Sequence, residues 1–138
     1  MKALILLVSL FLGNAYACSC AEWGTAAEIL KEVDVAFVGT YVKGVIIPTD
    51  AQEANRKTTF KVNRAFKPRP MRTNKSIVRS TRGDGANCGT YFGRGGRYLI
   101  LGYKDASGNI YTDDCSTRVV RNTPEMIALL LEFEAASK

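Results

Sequence analysis

The 138-residue sequence contains no histidine, and it carries only four cysteines, four prolines and one tryptophan. Without histidine there is no imidazole base for a Ser-His-Asp or Cys-His arrangement, and no imidazole metal ligand. Asp84 and Asp113-Asp114 are carboxylates without an identifiable partner acid, so no enzymatic constellation and no cofactor are expected. The cysteines lack the paired C-x-x-C knuckles of a structural zinc site, which argues against a metal centre of the protein's own. There is no Ser/Gly/Pro-rich linker, repeat or low-complexity tract. The longest apolar run, "ALILLVSLFLG" at residues 3–13, is too short to span a bilayer as a helix.

That run has another reading. It follows Met1-Lys2 and precedes Ala15-Tyr16-Ala17, giving the cationic tip, apolar stretch and small-x-small site of a secretory signal peptide. Residues 1–17 are therefore expected to be removed, leaving a single domain at 18–138 that begins at Cys18. Lipid attachment at the Cys18 sulfur is the rival reading. It would want an aliphatic residue where Ala15 stands, and would leave an odd number of cysteines. Export fits an extracellular or periplasmic protein, and the mature length suits one modest core, expected to be monomeric.

Losing Lys2 takes the formal charge from +6 to +5, with much of the excess between Arg56 and Arg97. Arg64, Lys67, Arg69, Arg72 and Lys75 are candidates for gripping an acidic polysaccharide; the plainer reading is a soluble basic surface. Tyr91, Phe92 and Tyr98 are candidate stacking aromatics, but an exported protein is a poor candidate for nucleic-acid binding.

Four cysteines in an exported domain imply two disulfides, with three connectivities open. A Cys18–Cys20 bridge is disfavoured by geometry, which leaves each of the two tied to a distant partner and the new N-terminus clamped in two places.

Thr25 and Glu28 form a capping-box pattern ahead of Ile29, Leu30 and Val33, predicting a helix at 26–33. "VAFVGTYVKGVI", 35–46, is apolar in both phases, as a barrel strand beneath a helix would be, and Gly39 predicts a bend or bulge. Residues 48–57 read as an exposed hairpin loop. Strands are expected at 58–67, with Phe60 and Val62 on one face, and at 75–80. A hairpin of 97–105 and 109–115 is expected around "ASG". Thr123 and Pro124 open a final helix with Met126, Leu129, Leu130 and Phe133 on its apolar face. Trp23 is expected to pack on the first helix. Five successive strands bracketed by two helices suit a mainly β fold, a small closed or partly open barrel of the oligonucleotide/oligosaccharide-binding (OB) type.

Together, C-S-C at the mature terminus, "VAFVG", "TTFKVNRAFK", "NCGTYF", "YLILGY" and "IYTDDCS" resemble the tissue inhibitors of metalloproteinases and the wider netrin-like modules, over nearly the whole mature chain. The resemblance implies a five-stranded Greek-key OB-fold barrel with flanking helices, and the pairings Cys18–Cys88 and Cys20–Cys115. It implies inhibition of zinc metalloendopeptidases, with the α-amino nitrogen and carbonyl oxygen of Cys18 chelating the protease zinc. Ser19 would enter the specificity pocket, with Cys20 and Ala21 following along the cleft. The loop bearing Asp84, Gly85, Ala86 and Asn87 would form a second contact ridge. The sequence departs from the animal inhibitors in lacking a third cysteine pair and a cysteine-rich C-terminal subdomain. It also has Ala21-Glu22-Trp23 where they have a proline-bearing segment. The alternative is an exported, non-inhibitory netrin-like module that binds a protein or an acidic polysaccharide.

Overall fold

The computed structural model describes residues 20–47, 56–80 and 90–138. Helix α1 (Ala26–Glu32) starts as its sequence predicts. Thr25 Oγ1 accepts the Glu28 N–H while the Glu28 carboxylate accepts the Thr25 N–H, closing the capping box. Six strands follow: β1 (Val35–Ile46), β2 (Arg56–Lys67), β3 (Lys75–Ser80), β4 (Arg97–Lys104), β5 (Ile110–Tyr111) and β6 (Thr117–Val119). Helix α2 (Pro124–Ala136) begins with Thr123 Oγ1 accepting the Met126 N–H.

The sheet order is β1-β2-β3-β5-β4, and β4 pairs back onto β1, so these five strands close a barrel. The pairings are antiparallel except β3 with β5, which is parallel. This is an OB-type barrel, with β6 added beside β4 outside the ring.

β1 explains why a strand can be apolar in both phases. Val35 and Phe37 point into the barrel with Phe60, Val78, Phe92, Tyr98 and Ile100. Ala36 and Val38 point outward into a second core with Ile29, Leu30, Val33, Phe66, Leu99, Leu101 and Phe133, beneath the two helices. The inner core is aromatic, with the Phe60 ring edge-on to Phe92 at a centroid distance of 4.9 Å. Such pairs add stabilisation beyond the area they bury. Gly39 sits at a register shift between β1 and β2. A Cβ there would come within 2.8 Å of the Phe37 ring and 3.0 Å of Phe60 Cβ, so close packing demands glycine.

Two boundaries and one added strand differ from the sequence reading. Arg56 and Lys57, expected in the loop, extend β2, because Lys57 pairs with both Val45 and Arg79. The expected strand at 109–115 is only two residues long: Asp113 caps a short 3-10 turn over Asp114–Ser116, accepting the Ser116 N–H at 2.8 Å. That turn redirects the chain into β6, whose three residues are too few to show an alternating pattern. The β4–β5 connection closes tightly, with the Asp105 carboxylate accepting the Ser107 and Asn109 N–H groups and Gly108 at φ +82°. No helix among the described residues is long and apolar enough to cross a membrane.

Candidate functional site

Cys20 is disulfide-bonded to Cys115, ninety-five residues on, with the Cα atoms 5.3 Å apart. This is the partner that the resemblance implies for Cys20. Cys115 lies in the 3-10 turn that leads into β6, and β6 is laid against β4. The bridge therefore fastens the beginning of the described chain to the closed barrel rather than to a free loop.

The next residues are fastened independently. The Trp23 indole N–H donates to the Cys115 carbonyl at 2.8 Å. The Arg118 guanidinium lies 4.1 Å over the indole ring, and Arg118 also donates to the Thr117 carbonyl. The indole edge meets Phe133 of α2 at 6.4 Å, so Trp23 joins the outer core through α2. The Glu132 carboxylate accepts the Ala26 N–H at 2.8 Å. From Cys20 to Ala26 the chain is held by a covalent bond, a stacked indole, a capping box and a carboxylate on the second helix. Ala21 and Glu22, between the first two of these fastenings, are exposed. Such a segment has little conformational freedom left to lose on binding a partner.

Cys18, Ser19, Asp84, Gly85, Ala86, Asn87 and Cys88 lie outside the described residues, as does the proposed cleavage site. Of the residues expected to contact a protease, the structure describes Cys20 and Ala21, on the tethered segment. Asp113 and Asp114 belong to the capped turn. Burial, and then the negative charges of Asp113, Glu32 and Asp34, push the Tyr103 phenol above its ordinary range. No group of three or more His, Cys, Asp or Glu side chains is placed to hold a metal ion among the described residues.

The basic residues picked out in the sequence do not act as one patch. Arg64 and Arg69 both pair with Glu134 of α2, at 3.2 and 2.9 Å. Lys67 donates to the Leu30 carbonyl at the end of α1, at 2.7 Å. These cations fasten helices to the barrel, and sequence spacing could not have revealed that. Arg72 and Lys75 remain exposed. An open groove of about 570 Å³ runs beside Arg69, Met71, Arg72 and Glu134. The suggested stacking aromatics do not form a platform either. Phe92 and Tyr98 are buried in the barrel, and Tyr91 alone is exposed, beneath the Arg56 guanidinium.

No family model matches the chain. A protein of Margaritifera margaritifera named NTR domain-containing protein is 31% identical to it over 108 residues, covering 77% of this chain and 71% of that protein.

Proposed function

Because the chain belongs to the netrin-like (NTR) module family, we propose that it is an exported inhibitor of zinc metalloendopeptidases that works through its mature N-terminus. Cleavage after Ala17 frees the α-amino group of Cys18. That nitrogen and the Cys18 carbonyl oxygen close a five-membered chelate on the protease zinc. A catalytic zinc is held by three protein ligands and keeps one position for water, and the chelate takes that position. The amine ligates when neutral; with an ordinary α-amino pKa of about 7.7–8.0, deprotonation at neutral pH costs only about 1 kcal/mol.

The observation that carries this reading is the immobilisation of the segment just downstream of Cys18. The Cys20–Cys115 bridge and the Trp23–Cys115 hydrogen bond hold it on the closed barrel. A ligand held at its attachment point loses less entropy on entering a cleft. In this reading a Cys18–Cys88 bridge adds the second clamp, Ser19 enters the specificity pocket, and residues 84–87 form the neighbouring ridge. The protein is an inhibitor rather than an enzyme, acts outside the cell membrane, and functions as a monomer.

The test is a panel of purified zinc endopeptidases titrated with the processed protein, its terminus verified by N-terminal sequencing and its two bridges by intact mass. Stoichiometric inhibition of at least one zinc enzyme, abolished when the α-amine is carbamylated, is the expected result. Inhibition that survives carbamylation, or none across the panel, overturns the reading.

A further inference from the structure

The strand register assembles a cationic surface that sequence order conceals. On β3 the outward phase is Lys75, Ile77 and Arg79, the last half-buried with its guanidinium 6.0 Å over the Tyr111 ring, while Ser76, Val78 and Ser80 face the barrel interior. Their β2 partners are Lys61, Thr59 and Lys57, and the β1 partners of those are Thr40, Lys43 and Val45. Thr40 pairs in turn with Arg97 of β4. Six cations therefore share the outward face of four adjacent strands: Lys43, Lys57, Lys61, Lys75, Arg79 and Arg97. The helices cover this outward side around Ala36, Val38, Phe66, Leu99 and Leu101, away from the six cations.

Two features separate this face from an ordinary solvated basic surface. β1, β2 and β3 contain no aspartate or glutamate, and among the described residues the ion pairs run from Arg64 and Arg69 to Glu134, not to any of the six. Moreover, Lys61 stands directly opposite Lys75, and Lys57 directly opposite Arg79. Like charges directly across a strand pair destabilise a sheet. Apart from the stacking of Arg79 on Tyr111, folding gains nothing from these two pairings, whereas a bound polyanion would relieve both repulsions at once.

We infer that the outward face of β1, β2, β3 and the start of β4 binds a sulfated polysaccharide. The cations stand on a grid of roughly 4.8 Å between strands and about 7 Å between successive outward positions on one strand, matching a chain that carries several anions over a short length. Single-stranded nucleic acid would want a row of open rings for its bases to stack on; Thr40, Thr59, Val45 and Ile77 lie between the cations, and the Tyr111 ring beside them is half-buried against Arg79. An anionic bilayer would want an apolar wedge wider than the exposed Val42, Val45 and Ile46 at the end of β1, and Ile77 lies two strands away from them with Lys57 between. The site uses residues other than those of the tethered N-terminus, so its success or failure is independent of the inhibitor reading.

The experiment measures binding of the purified protein to a highly sulfated polysaccharide, to its desulfated form, to a single-stranded oligonucleotide and to vesicles containing phosphatidylserine, across a salt series. With six cations engaged, the affinity should fall with salt with a log–log slope of about 4, on the order of 0.7 per cation. The pairs K61Q/K75Q and K57Q/R79Q should each weaken binding about tenfold at 0.15 M salt and reduce the slope by about 1.4. K61R/K75R should retain affinity. K104Q/R121Q, with the same loss of charge at exposed positions off this face, should change it less than threefold. Equal loss in the off-face pair, binding unaffected by desulfation, tighter binding to the oligonucleotide or vesicles, or no binding to the sulfated chain would each overturn the proposal.

Discussion

Replacing both Cys20 and Cys115 by alanine is the sharpest perturbation of the scaffold next to the proposed mature terminus. The bridge closes a sequence separation of 95 residues. Taken alone, the chain-entropy relation puts the stability lost with such a loop at about 4.7 kcal/mol. A Cys18–Cys88 bridge, if formed, shortens the ring that Cys20–Cys115 closes. The path then runs two residues back to Cys18, across that bridge, and twenty-seven residues on to Cys115. For a ring of about 30 residues the same relation gives about 3.6 kcal/mol. The variant also leaves the Trp23–Cys115 backbone hydrogen bond intact, so the difference reports the crosslink itself. Urea unfolding of the wild type and the double variant measures the loss. It should appear as a fall in midpoint at constant m-value, with a Tm lower by on the order of 10–20 °C. Repeating the measurement with Cys18 and Cys88 also replaced should show a larger combined loss, but less than the sum of two independent rings. A loss below about 1 kcal/mol for the first variant would refute the argument that this bridge constrains the chain.

Other outcomes follow from single contacts. Trp23→Ala removes the indole hydrogen bond, the Arg118 stack and the Phe133 contact; for a half-buried indole it should cost about 2 kcal/mol in urea unfolding, and it should weaken protease inhibition by more than the stability loss explains. Gly39→Ala should lower stability by about 1–3 kcal/mol, because its methyl group meets Phe37 and Phe60 in the inner core. The Thr25 N–H and hydroxyl hold the Glu28 carboxyl below its ordinary range. The stability this provides is present above the ordinary glutamate pKa and fades as pH falls through the lowered one. Thermal melts should therefore show a smaller drop between pH 6 and pH 3 for Glu28→Ala than for the wild type.

Legibility in the sequence followed the range of the interactions. The first helix could be read because its capping box lies within four residues, and β1 because its two apolar phases each face a core. The start of the last helix was equally local, set by Thr123 and Pro124. β6 escaped notice because it is three residues long and exists through pairing with β4. Charge was the least legible property. Arg64, Lys67 and Arg69 look like a patch along the chain, yet each is engaged by a helix. The cations without a carboxylate partner among the described residues are brought together from β1, β2, β3 and β4 by register alone. The sequence sets Trp23 on the first helix; in the fold its ring lies edge-to-face with Phe133 of the second, against an outer core that also holds Ile29 and Leu30 of the first, a contact that no local spacing announces.

The central claim is that an unblocked Cys18 amine, presented by a clamped segment, ligates the zinc of a protease. A single alanine added ahead of Cys18 tests it most directly, since it moves the free amine one residue away while leaving the barrel sequence unchanged. The account predicts that inhibition of a sensitive zinc protease weakens by at least about 100-fold, roughly 2.7 kcal/mol, while the urea midpoint is unchanged. Undiminished inhibition by the extended protein would contradict it.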